Sequence, residues 1–337
     1  GLWGLLFPPA AVVAAGAAPL LTWAGVVMAI TYTAYSVVSV AHQAWGARLG
    51  GNEAQRSRVV AWREALSLLG VLLAAVLPTV AGLGATVVTF ALLLALGWWA
   101  WARSLVPHSS GVAVARAGRS PLREPAFRRL LAVFVLNGTA SAVPATLVLF
   151  FVQDRLQASA ALEPAFLGVY FLSAALAMPL WLRLVPRLGL ARTWLAGMVL
   201  AVLTFAWAAT LGAGDAVLFL VVCALSGIAL GTDLALPGAL LAGLIGQLGE
   251  RGKAEGAYFG WWNFAAKLNL ALAAGLALPL LGFFGYAPGA RDAAALQTLT
   301  IAYCVLPCVL KLLAAAALVR LVLRAPPPTA WQGAPSH

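Results

Sequence analysis

The stretch NFAAKLNLALAAGLALPLLG, residues 263 to 282, is apolar over a length that crosses a bilayer, yet it contains Lys267. About 20 apolar residues in helical form span the hydrocarbon core. A lysine near the centre of such a helix costs about 2.5–3.5 kcal/mol on insertion scales. The segment therefore reads as a membrane helix whose lysine requires polar surroundings.

The rest of the chain repeats the first half of that pattern. It is 63% hydrophobic and 9% charged, with a mean hydropathy of +0.96. Soluble domains carry about 25% charged residues. Apolar runs fall near 21–45, 59–80, 84–103, 127–152, 165–184, 193–212, 215–240, 256–281 and 296–322, with a remnant at 1–7. An all-α membrane protein is expected, with about nine complete spans plus a remnant of one. The opening residues GLWGLLFPP read as the end of a span, with no initiator Met or signal peptide, so an N-terminal portion is expected to be missing.

The net charge of +11 is distributed by side. Alternate connections are basic: Arg48, Arg56 and Arg58; Arg103 to Arg129; Arg183, Arg187 and Arg192; Arg251 and Lys253; Arg320 and Arg324. The intervening connections are poor in basic residues, with Arg155 and Arg291 the exceptions. Positive residues favour the cytoplasmic side, which predicts a multi-pass inner-membrane protein with a cytoplasmic C-terminus. The charge is thus a topology signal, and nucleic acid is not expected as a partner. The longest basic loop, 104–126, would join an incomplete N-terminal half (1–103) to a C-terminal half (127–322). A disordered tail (323–337) would follow.

Several polar side chains fall at membrane depth. Asn263 and Lys267 are four apart and share a helix face. Lys267 is either a cavity residue, binding substrate or exchanging with an acid, or a snorkelling or permanently paired lysine. Asp233, in GIALGTDLALPG, is the acid placed clearly inside a span. It could pair with Lys267, carry a proton, or form a static ion pair. Lys311, also mid-span, is a weaker candidate of the same kind, with snorkelling towards the basic side as the alternative. Tyr32, Ser36, Ser39 and Gln43 form a stripe at i, i+4, i+7 and i+11, flanked by Tyr35 and His42. Hydroxyls, amides and aromatic rings suit a polyhydroxylated ligand, and they equally suit helix–helix hydrogen bonding. Arg63 lies seven residues beyond Arg56 and deeper in its span. Asn137 and Ser141 are four apart, and Pro144 follows them.

Enzyme signatures are missing: there is no HExxH, no P-loop and no plausible triad. Cys223, Cys304 and Cys308 lie in spans without further metal-ligand partners, so packing, not a metal or a disulfide, is expected.

Three ordered stretches carry a family likeness. TYTAYSVVSVAHQAWGARLGGNEAQRSRVVAWRE (31–64), LRLVPRLGLARTW (182–194) and GERGKAEGAYFGWWNFAAKLNLALAAGLALPLLGFFGY (249–286) resemble the glycoside–pentoside–hexuronide:cation symporters. These are the melibiose-permease relatives within the major facilitator superfamily. The likeness covers nearly the whole chain and places its start at the end of the third span. It implies a two-half helical bundle working by alternating access, and cation-coupled symport of a sugar or glycoside. It places Lys267 on the family's functional lysine of the eleventh span and Arg63 on a cavity-facing arginine. Ser36 and Val40 stand where a sugar-binding aspartate and a stacking tryptophan occur, which points away from galactosides. The acids that hold the cation in the family would precede Gly1.

The expected substrate-binding set is therefore Lys267, Asn263, Arg63, Tyr32, Ser36, Ser39, Gln43 and Asn137, with Asp233 and Lys267 in coupling or an ion pair. No cofactor is expected beyond a coupling Na⁺ or H⁺. The expected partners are a small sugar and membrane lipid, and the protein is expected to be a monomer. An exporter, a lysolipid-type carrier of the same superfamily and a non-transporting membrane scaffold remain as alternatives.

Overall fold

The computed structural model describes residues 1–49, 52–104 and 120–324. Most of the expected central loop and all but the start of the expected tail lie outside these residues. Two short helices, α1 (Leu2–Leu6) and α2 (Ala10–Ala14), precede α3 (Ala17–Arg48), α4 (Glu53–Val80) and α5 (Gly82–Ala102). A second group follows: α6 (Pro125–Phe150), α7 (Glu163–Leu188), α8 (Leu190–Ala208), α9 (Ala216–Gln247), α10 (Glu255–Phe283), α11 (Ala293–Thr300) and α12 (Leu306–Leu318). A π-helical turn, Phe151–Arg155, prolongs α6, and another, Ile301–Val305, joins α11 to α12. Counting α11–α12 as one, nine helices among the described residues are long and apolar enough to cross a membrane. No strand occurs among those residues.

Each expected span coincides with a helix, and a polar side chain caps the start of α4, α6 and α11. Asn52 and Gln55 form a reciprocal capping box at the start of α4, with bonds of 2.9 and 3.0 Å, satisfying donors that would otherwise be orphaned. Pro125 starts α6 behind the Glu124 cap, where its missing N–H costs nothing. Gly189, at φ 79, ends α7 and leads directly into α8; a left-handed residue at that point favours glycine.

The buried residues form two apolar clusters, both mainly in the second group. One holds Phe127, Val133, Trp194, Leu236 and Leu318. The other holds Leu147, Phe151, Phe219, Tyr303 and Cys304. On α6, α9 and α12 the gap between the clusters is filled by Asn137, Asp233 and Lys311. Elsewhere large apolar side chains stay exposed, among them Leu92, Leu94 and Leu96 on α5, as expected where the solvent is lipid.

The two groups meet where α4 packs on α7 and α9 and where α3 packs on α10. The buried residues of α4 are Ser57, Val60, Ala61 and Leu68, and that of α3 is Ala47. Most lie towards the basic end, with Leu68 at mid-helix. The opposite ends of α3 and α4 carry exposed side chains such as Leu21, Ile30 and Val80. The contacts that join the two groups are therefore concentrated towards the basic end.

Within the second group α7 lies along α9, and Gly227 permits the approach: a Cβ there would overlap the Tyr170 carbonyl oxygen of α7. Overpacking of this kind costs about 1–3 kcal/mol. Gly227→Ala should lower the thermal unfolding midpoint of the purified protein, whereas Gly168→Ala, in open space, should not. Equal midpoints would refute the close approach.

Candidate functional site

Two polar centres lie at membrane depth, and the first bridges the seam. The α3 stripe predicted from spacing faces α10. The Lys267 ammonium donates to the Ser36 hydroxyl. It also lies 5.7 and 5.5 Å from the ring centroids of Tyr32 and Tyr35, within cation–π range. One turn nearer the basic end, the Asn263 amide donates to Gln43 Oε1 at 3.1 Å. Gln43 Nε2 returns a bond to Asn263 Oδ1 at 3.4 Å and reaches Ser39 Oγ at 3.0 Å. The Ser39 hydroxyl points to Asn263 Oδ1 at 3.4 Å. Seven residues on two separate helices thus form one cluster. Both Lys267 and Ser36 remain partly exposed, and among the described residues no carboxylate lies within ion-pair distance of Lys267.

Arg63 does not join this cluster. Its Nε and Nη2 bond Glu64 Oε1 at 3.0 and 2.6 Å, and its guanidinium lies beside Gly238 of α9. It reaches the α4–α9 contact instead.

The second centre corrects three expectations. Asp233 pairs with Lys311, not with Lys267: Lys311 Nζ is 2.8 Å from Asp233 Oδ2. Lys311 does not snorkel, because its side chain is only 4% exposed against 11% for Asp233. Asn137, expected at the substrate, instead accepts from Lys311 Nζ at 2.9 Å inside the second group. Ser141 donates to Asp233 Oδ2 at 3.2 Å, and the Trp194 indole donates to Oδ1 at 2.9 Å. The network ties α6, α8, α9 and α12 together, and each charge has partners, as burial of an ion pair demands.

Sequence reasoning did not anticipate Trp194 or Asn269. Asn269 is buried, accepts from Thr139 at 3.3 Å and packs against Gly138. Its position in the same apolar run as Lys267 was the available signal. The pairing of Asp233 had a signal too, since Lys311 is the other lysine inside a span.

At the basic end, Arg48 Nε lies 3.7 Å from Glu255 Oε2, and Glu53 Oε2 accepts from the Leu190 N–H at 3.3 Å. Both contacts cross the seam. Between α6, α10 and the α11–α12 helix lies a cavity of about 630 Å³, lined by Val143, Leu147, Leu272, Leu276, Ile301 and Leu306 among others. Thr139 and Thr298 are its polar side chains.

A family model described as MFS/sugar transport protein matches residues 2–325. The chain belongs to this family. Its membrane-length apolar helices are those of a major-facilitator transporter. The solved structures include a similar one, titled the crystal structure of a bacterial homologue of iron transporter ferroportin in an outward-facing state. It is 17% identical with a TM-score of 0.66, and the match covers 96% of this chain and 78% of that one. At that identity the likeness concerns the fold. No curated protein matches.

The buried pair makes a stability prediction. Lys311→Ala leaves a buried carboxylate without its counter-charge, a loss of about 3–5 kcal/mol. Replacing both charges, as in Asp233→Leu/Lys311→Met, should recover most of it. Thermal unfolding in detergent checks this, and a single variant as stable as wild type would contradict the pairing.

Proposed function

We propose that this transporter carries a sugar or glycoside, driven by a cation gradient, through alternating access at the α3–α10 seam. The observation that carries the reading is the convergence of Lys267, Asn263, Ser36, Ser39, Gln43 and two tyrosine rings across that seam. Hydroxyl and amide groups offer directional partners to a sugar's hydroxyls, and the rings offer faces for stacking. A half-exposed lysine at membrane depth is tolerable where it faces a wet cavity.

The direction of opening follows from charge. With the basic end cytoplasmic, the Arg48–Glu255 and Glu53–Leu190 contacts close the cytoplasmic side, and the seam opens outward. Transport then requires the two groups to rock and these contacts to part. The protein sits in the inner membrane with its C-terminus inside on this reading. The coupling cation is Na⁺ or H⁺.

The apolar cavity favours a second reading, a lysolipid-type carrier. Its lining suits an acyl chain and offers a sugar almost nothing. The iron named for the ferroportin homologue finds no support in these residues: among those described, no three His, Cys, Asp or Glu side chains gather as a metal site.

Uptake by the protein in proteoliposomes, with imposed Na⁺ or proton gradients, tests the proposal. Lys267→Ala should reduce glycoside uptake to background while membrane insertion is unharmed. Wild-type uptake by that variant would make Lys267 structural. Competition only by amphiphiles with an apolar tail would favour the lipid reading.

A further inference from the structure

We propose that the groove between α6, α10 and the α11–α12 helix seats an acyl chain of a resident phospholipid, drawn from the membrane leaflet opposite the basic end. The assignment is independent of the glycoside reading and separates this groove from the transport route.

The walls of the groove point to an apolar occupant that enters from the membrane. Val143, Leu147, Ala273 and Leu281 form a buried floor, whereas Leu272, Leu276, Ile301 and Leu306 are exposed at the rim. Exposed apolar side chains continue from that rim along α12 through Val309 and Leu313, so the groove opens onto the face that lipid covers. Its two hydroxyls are already engaged: Thr139 donates to the Val135 carbonyl at 2.9 Å and Thr298 to the Ala294 carbonyl at 3.1 Å. Water needs polar partners to occupy a cavity, and this lining offers almost none. Left empty, a space of about 630 Å³ would forfeit dispersion contacts along all three helices.

The dimensions select a chain from one leaflet. The lining runs from Leu272 to Leu281 on α10 and from Thr298 to Leu310 on the α11–α12 helix. At the rise of an α-helix these stretches are about 14 and 18 Å long. Half of the hydrocarbon core is about 15 Å. Both stretches lie in the half away from the basic end, because α10 starts at that end and α11 at the opposite one.

Charge agrees with a phospholipid. Arg155 and Arg291 are the basic residues on this side. Arg155 is engaged with the Leu211 carbonyl at 3.0 Å. Arg291 is exposed, in the connection between Phe284 and Thr298 of the lining, where it supplies a cation for the lipid phosphate. The chain would also brace α10. Pro279 lies in this half of α10, where it removes a backbone hydrogen bond, and the same helix carries Asn263 and Lys267 to the seam. Both α10 and α12 pack on α6, and the acyl chain fills the wedge between them.

The test uses the purified full chain in nanodiscs that contain a phosphatidylglycerol probe with a diazirine midway along one acyl chain. After photolysis, peptide mass spectrometry should find cross-links on Leu276, Ile301 and Leu306 several-fold above those on Leu92, Leu94 and Leu96 of α5, which are exposed outside any groove. Ala277→Trp, which fills the groove, should reduce them to the α5 level, and Arg291→Gln should lower them several-fold. If Ala277→Trp does not fold, Ala302→Trp takes its place. Cross-linking no stronger than on α5, or unchanged by these substitutions, overturns the inference. So does movement of a fluorescent lysolipid across the bilayer that Ala277→Trp abolishes, since the groove would then hold cargo. Glycoside uptake enters none of these results, so the two readings fail separately.

Discussion

A charge held at membrane depth must find a partner, and this requirement organises the polar architecture of the protein. Three charged residues face it in two ways. Lys311 and Asp233 answer it completely, inside the second helix group and nearly sealed from solvent. Lys267 answers it incompletely, with a hydroxyl and two ring faces at a half-exposed seam. The first arrangement ties four helices together. The second leaves a cation available to whatever enters between the groups.

These solutions divide the labour expected of a major-facilitator transporter. The second group is a body with two apolar clusters and a polar layer between them. Its helices approach closely through glycines such as Gly227 and carry in-helix prolines, which membrane helices tolerate. The seam is different in kind. It is held by a reciprocal amide pair between Gln43 and Asn263 and by contacts such as Arg48–Glu255, whose arginine is 47% exposed. Exposed ion pairs contribute little, about 0–1 kcal/mol. The α3–α10 part of the interface is thus held by the weaker contacts.

Much of this architecture was legible from the sequence. The apolar runs located every long helix, because bilayer thickness and helical rise set their length together. Helix ends were less legible: Asn52 and Gln55 form their cap outside the apolar run that marked α4. The seam was legible by halves. The 32–43 stripe and the Asn263–Lys267 pair each marked a face, but no spacing rule says which two faces meet. Asp233 shows the limit most plainly. Two lysines lay inside spans, and depth along a helix could not choose between them. Only the packing of α6 against both α9 and α12 brings Lys311, not Lys267, within 2.8 Å of Asp233. Arg63 is similar, since Glu64 satisfies it at the α4–α9 contact, apart from the α3–α10 cluster.

The central claim is that the α3–α10 seam is a passage exposed to each side in turn. It is tested most directly by a single cysteine at Ser36, in a chain whose Cys223, Cys304 and Cys308 are replaced, labelled with a membrane-impermeant thiol reagent from either face. The account predicts labelling from the side opposite the basic end at rest. It also predicts labelling from the basic side once a transported glycoside turns the carrier over. A Ser36→Cys side chain that reacts from neither side under both conditions, or from one side regardless of ligand, would contradict it.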